Sequence, residues 1–189
     1  MTNRVYVERA LFMIGDQGTG KSTQLRSMFQ DWRLGTWGDI PKARNPRNAY
    51  ALSNERWLYL RMTSPDETNE DMARFLEKCE KNMRKRKKTG WPKRWLARRW
   101  NFAGALQHPG NKKLQGPANV LSYFESRFKP ERIRAVVLSP DCHDNRMEPA
   151  ELRSLIKSLR NVRNTEVIMV DATAREENGL IYADFFDFT

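Results

Sequence analysis

Apolar residues fall along this chain in two kinds of run. Short, nearly continuous stretches predict strands: Arg9-Ala10-Leu11-Phe12-Met13-Ile14, Trp57-Leu58-Tyr59-Leu60-Arg61-Met62, Ile133-Arg134-Ala135-Val136-Val137-Leu138 and Glu166-Val167-Ile168-Met169-Val170. Between them apolar residues recur at helical spacing. Leu25, Met28, Phe29 and Trp32 do so within a helix from Thr19 to Trp32. Met72, Phe75, Leu76, Cys79 and Met83 mark a second, from Glu70 to about Lys87, and Ser64-Pro65-Asp66-Glu67 before it resembles a helix start. Ala118 to Phe128 and Glu148 to Val162 read as two more, the last with Leu152, Leu155, Ile156 and Leu159 on one face. Asn101 to Leu106 reads as a short strand, and Lys42 to Asn54 and Gly110 to Gly116 as loops.

Strands that alternate with helices, several of them continuously apolar, predict an α/β three-layer sandwich with a mostly parallel sheet covered on both faces. The 189 residues suit a single domain with a basic, Trp-rich helical insertion at about 84–100. Parallel strands put their C-terminal ends on one rim, so Gly15, Asp141 and Asp171 are expected on a common edge, where such folds bind ligands.

The first strand runs into Gly15-Asp16-Gln17-Gly18-Thr19-Gly20-Lys21-Ser22, with Thr23 next, and a helix follows. This is the complete G-x-x-x-x-G-K-S pattern in the strand–loop–helix context that a phosphate-binding loop (P-loop) needs. Glycines let the backbone curl until successive N–H groups face phosphate oxygens. Lys21 is expected on the β- and γ-phosphates, and Ser22 on Mg²⁺. The ligand expected is ATP or GTP with Mg²⁺; no guanine-reading N-K-x-D is visible, which leans to ATP.

A carboxylate at the end of another buried strand usually completes the Mg²⁺ side. Two residues qualify. Asp171 directly follows Val167-Ile168-Met169-Val170, and Asp141 follows Ala135-Val136-Val137-Leu138 after Ser139 and Pro140. Asp141 is the better metal acid if its strand lies beside the glycine-loop strand; Asp171 then stands one strand further out and senses the γ-phosphate. If Asn101 to Leu106 is also a strand, that choice is open again. The competing role for either residue is to cap a turn.

Gly20-Lys21-Ser22-Thr23-Gln24 resembles the P-loop of thymidylate kinases and other nucleoside monophosphate kinases, and Val167 to Thr173 is similar to their final strand with its adenine loop. The resemblance implies ATP binding, a five-stranded parallel sheet and phosphoryl transfer. An Asp-Arg-Tyr-type motif is missing from the third strand, where Asn101-Phe102-Ala103-Gly104 offers no acid.

Charge adds a second theme. The net charge is +11, which favours polyanionic partners. Arg84, Lys85, Arg86, Lys87, Lys88, Lys93, Arg94, Arg98 and Arg99 surround Trp91, Trp95 and Trp100. Lysine and arginine neutralise phosphates and tryptophan stacks on bases, so Arg84 to Lys88, Lys93 and Trp95 are candidate nucleic-acid contacts. Two other readings compete: a flap placing Arg94, Arg98 or Arg99 on the γ-phosphate, and a solvated helix whose tryptophans pack on the core.

Cys79 and Cys142 form no disulfide framework, and no apolar run approaches the ~18 residues of a membrane span. The start shows no signal-peptide pattern, so a cytoplasmic setting is expected. Asp141-Cys142-His143-Asp144 lacks zinc-ligand spacing. Phe185, Phe186 and Phe188 either pack on the sheet or form a docking peptide. The sequence thus points first to a nucleoside triphosphatase coupled to nucleic acid or a protein partner. A kinase and a nucleotide-gated adaptor are the alternatives.

Overall fold

The computed structural model describes residues 5–34, 38, 40, 49–53, 55–84 and 99–186, without the side chains of Arg175 and Glu176. Six strands form one sheet: β1 (Val7–Gly15), β2 (Ala49–Ala51), β3 (Arg56–Arg61), β4 (Arg99–Gln107), β5 (Arg132–Leu138) and β6 (Thr165–Val170). Their spatial order is β2-β3-β4-β1-β5-β6. The five from β3 to β6 are parallel, and β2 joins the edge antiparallel to β3. No helix among the described residues is long and apolar enough to cross a membrane.

Alternation along β1 explains the layers. Ala10, Phe12 and Ile14 point to one face, where α2 (Met72–Arg84), α3 (Pro117–Phe128) and α4 (Pro149–Arg160) supply Phe75, Cys79, Phe124, Phe128, Leu155 and Leu159. Leu11 and Met13 point to the other. There α1 (Lys21–Ser27), two 3-10 turns (Met28–Gln30 and Trp32–Leu34) and α5 (Arg175–Ala183) supply Leu25, Phe29, Leu34 and Tyr182. Both faces of the central strands are therefore buried, which is why their sequences read as unbroken apolar runs. Burial also pushes the Cys79 thiol up to about 12, so it stays a neutral core residue.

Several elements differ from expectation. Asn101 to Leu106 grows into the nine-residue β4, which lies directly beside β1. Ala49 to Ala51, inside an expected loop, pair with β3. The first helix does not run to Trp32: it tightens into a 3-10 turn at Met28, and Asp31 turns extended with ψ 112°. Trp32 therefore leaves the apolar face and is 67 % exposed. Ser64-Pro65-Asp66-Glu67 is a turn, while the Arg74 N–H donates to Asp71 Oδ1 at the true start of α2. Helix α5 had no counterpart in the periodicity. Phe185 and Phe186 pack on the core, each 2 % exposed, which leaves neither free to dock; Phe188 lies outside the described residues.

Candidate functional site

The C-terminal rim of the sheet gathers the glycine-rich loop after β1 and the loops after β3, β4, β5 and β6. Between Gly15 and Lys21 the chain makes a tight turn held by its own atoms. The Thr19 hydroxyl donates to Asp16 O at 2.8 Å and the Gln17 N–H to Asp16 Oδ1 at 2.7 Å. Gly20, which caps α1, has φ 90°, and a Cβ there would lie 2.9 Å from Cys142 Cβ. Only glycine meets both demands. The first helical bond runs from the Gln24 N–H to Gly20 O. The N–H groups of Lys21, Ser22 and Thr23 precede it, and none has an acceptor among the described residues.

Lys21 is 5 % exposed. Its Nζ donates to Gly15 O at 2.9 Å and Asp16 O at 2.5 Å, both neutral carbonyls. No carboxylate among the described residues pairs with it. Burial pulls its pKa below the ordinary lysine value, against the more distant charges of Glu67, Asp16 and Asp66. The ammonium is thus bonded to carbonyls, and no anion touches it among the described residues.

The loop after β3 lies against this turn. Ser22 Oγ donates to Met62 O at 3.2 Å. The loop is pinned by Gln107 N–H to Ser64 Oγ (3.2 Å) and by Asn111 N–H to Asp66 Oδ1 (2.8 Å). Its far end is held by Glu70, which accepts from Arg61 at 2.7 Å and Lys78 at 2.5 Å. On the other side of β1, the loop after β5 closes over Gly18 to Gly20. The Cys142 N–H donates to Thr19 O at 3.3 Å and its thiol to Gly18 O at 3.4 Å. The strand ends meet as well, since the His108 N–H donates to Gly15 O at 3.1 Å.

The two strand-end acids take up different positions. Strand β5 pairs directly with β1, so Asp141 follows the neighbouring strand and Asp171 the one beyond. Asp141 is largely occupied: its carboxylate accepts from the N–H groups of His143 (2.7 Å) and Asn145 (2.9 Å) and from the Asn145 side chain (3.1 Å). Burial raises its pKa, and the bonds from Asn145 and His143 outweigh that and hold it below the usual value. Asp171 is exposed, and its Oδ1 accepts from Thr173 Oγ1 at 2.6 Å and Thr173 N–H at 2.8 Å. Those bonds, together with the charge of Arg146, lower its pKa. Both acids thus do turn-capping work in this structure.

Arg99 does not join this site. Arg99 begins β4, whereas Gly15 pairs with Gln107 at the other end of the same strand. Eight residues of strand at ~3.3 Å each put Arg99 about 26 Å from the glycine loop. Its guanidinium instead bonds Glu8 Oε1 at 2.9 Å, so it does not serve a nucleotide on its own chain's loop. Arg84, at the end of α2, pairs with Glu80. Lys85, Arg86, Lys87, Lys88, Lys93, Arg94, Trp95 and Arg98 lie outside the described residues. Glu67, whose charge acts on Lys21, was not among the candidates read from the sequence; its only signal was an acid a few positions beyond a strand end.

Comparison with protein-family models, with curated proteins and with solved structures returned no match.

Proposed function

We propose that this chain binds a nucleoside triphosphate with Mg²⁺ on the loop from Gly15 to Thr23, hydrolyses it, and couples the turnover to a nucleic-acid or protein partner. The observation that carries the reading is Lys21. A cation so deeply buried is costly unless an anion completes its shell, and it sits among N–H groups with no acceptor among the described residues. Polyphosphate supplies both needs. The backbone N–H groups bind its oxygens, and Lys21 exchanges a loop carbonyl for the β- and γ-phosphates.

The residues present fit the metal as well. The Ser22 hydroxyl spends its hydrogen on Met62 O, and its lone pairs stay free for a cation. Mg²⁺ would supply charge neutralisation on the phosphates. The chain contributes positioning: Lys21 holds the phosphates, and Asp141 shapes the loop that backs Gly18 to Gly20. Arg146, beside Asp171, is a described cation on the β5–β6 side of the rim.

ATP turnover by the purified protein with Mg²⁺, alone and with single-stranded nucleic acid, tests this beside Lys21→Ala. Wild-type turnover stimulated by nucleic acid, and a loss of at least about 100-fold in the variant, is expected. Turnover untouched by Lys21→Ala sinks the site. Turnover that rises only with a nucleotide acceptor replaces hydrolysis by kinase chemistry, and tight binding with a trace rate makes the protein an adaptor.

A further inference from the structure

The metal-side acid is open once Asp141 and Asp171 are seen capping their own turns. Asp141 accepts three hydrogen bonds and Asp171 two. Two more acids near the glycine loop are also engaged. Asp66 accepts from the Asn111 N–H at 2.8 Å and from Ser64 Oγ at 3.0 Å. Asp16 accepts from the Gln17 N–H. Glu67 differs: its carboxylate has no hydrogen-bond or ion-pair partner among the described residues, although its backbone is fixed by a bond from its N–H to Ser64 O at 3.1 Å.

Its position is equally specific. Glu67 rides on the loop whose first residue, Met62, accepts from Ser22 Oγ. That loop is anchored on either side of Glu67, by the Gln107 N–H at Ser64 and by the Glu70 ion pairs. The charge of Glu67 acts on Lys21 together with those of Asp16 and Asp66. Free oxygens and a fixed backbone, on the loop that Ser22 touches at Met62, are what an oxygen-ligand site for a hard divalent cation needs.

We infer that Glu67, on the loop after β3, is the carboxylate that holds the nucleotide's Mg²⁺ opposite Ser22, directly or through a bound water. This inference rests on the nucleotide-binding reading above. Asp141 and Asp171 then serve as positioning residues. The acid reaches the metal from the loop after β3, because β4, which lies between β3 and β1, ends in Gln107 and His108 and brings no carboxylate.

The test uses the intact protein and a fluorescent ATP analogue, titrated in EDTA and at increasing Mg²⁺, for wild type, Glu67→Gln, Asp141→Asn, Asp171→Asn and Lys21→Ala. Glu67→Gln swaps a carboxylate for an amide of the same shape and leaves the fold intact. It is expected to bind the analogue in EDTA as well as wild type does or better, and to need at least about tenfold more Mg²⁺ for the metal-dependent gain. A Mg²⁺ requirement raised in Asp141→Asn or Asp171→Asn but not in Glu67→Gln moves the metal to that acid and overturns the assignment. Wild-type Mg²⁺ dependence in Glu67→Gln, with binding still lost in Lys21→Ala, overturns the Glu67 assignment alone. No binding by wild type, or binding indifferent to Lys21→Ala, overturns the nucleotide reading and this inference with it.

Discussion

Asp141 shows how a single residue answers to two demands. A carboxylate just beyond a buried strand matches the pattern of a metal acid, yet three N–H donors turn it into the keystone of its loop. Those donors make a prediction with a definite sign. The folded-state pKa of Asp141 lies below its unfolded value of ~3.9. The stabilisation is therefore fully present above about pH 5 and is lost as pH falls through ~3.9 and the folded value. Urea unfolding of wild type and Asp141→Asn at about pH 7, 5 and 3.5 checks this. Their difference should hold constant between the two higher values and shrink at the lowest; a difference that grows in acid would count against the loop's dependence on the ionised carboxylate. The same residue explains how far the site could be read from sequence. The turn after β1 was legible because its glycines have a local cause, the positive φ that Gly18 and Gly20 adopt. Which carboxylate keeps its oxygens free was not, since that depends on Asn145, Thr173 and Asn111, each a partner that no spacing rule names.

Helix α5 went unread for a reason visible in its packing. Its large apolar residues Leu180 and Ile181 are 51 % and 47 % exposed. The face that packs inward is Asn178, Gly179, Tyr182 and Ala183, so periodicity of apolar residues marked the wrong side. What replaces hydrophobic contact is a buried polar seam. Gln24 Oε1 on α1 accepts from Tyr182 Oη at 2.8 Å and Asn178 Nδ2 at 3.2 Å, while Gln24 Nε2 donates to Ala172 O at 2.9 Å. Every member has a partner, which makes the seam rigid rather than costly. It ties the helix behind the glycine loop to the turn after β6. Close approach is the condition: a Cβ on Gly179 would lie 2.2 Å from the Ser27 carbonyl oxygen. Gly179→Ala should therefore cost about 1–3 kcal/mol by forcing α5 off α1. A urea midpoint equal to wild type would mean that the helix can shift without loss. Strand β4 was underread for the opposite reason: Asn101 and Gly104 interrupt its apolar run, but the residues on either side are buried against both layers.

Across the whole molecule, positive charge is concentrated in one stretch of the chain. Residues 85 to 98 carry seven Lys and Arg and no acid, most of the net +11. The described residues that flank them, Arg84 at the end of α2 and Arg99 at the start of β4, stand on the edge of the sheet away from the glycine loop. The separation of about 26 Å along β4 exceeds the Debye length of ~8 Å at physiological salt. At that distance Arg99 acts only weakly through solvent on the glycine loop. Between Arg99 and the glycine loop, β4 and β1 are joined along their length, and the His108 N–H meets Gly15 O. Two independent sites make separable predictions. Replacing Lys85, Arg86, Lys87 and Lys88 by Ser should weaken single-stranded nucleic-acid binding and flatten its log–log salt dependence by roughly three, at ~0.7 for each phosphate no longer neutralised. The same variant should keep its affinity for nucleotide. Lys21→Ala should do the reverse, losing nucleotide while keeping the full salt slope. Fluorescence anisotropy with a labelled oligonucleotide between about 50 and 200 mM salt reads both. If Lys21→Ala also lost the slope, nucleic acid would be binding at the glycine loop, and the case for two anion sites at opposite edges would fall.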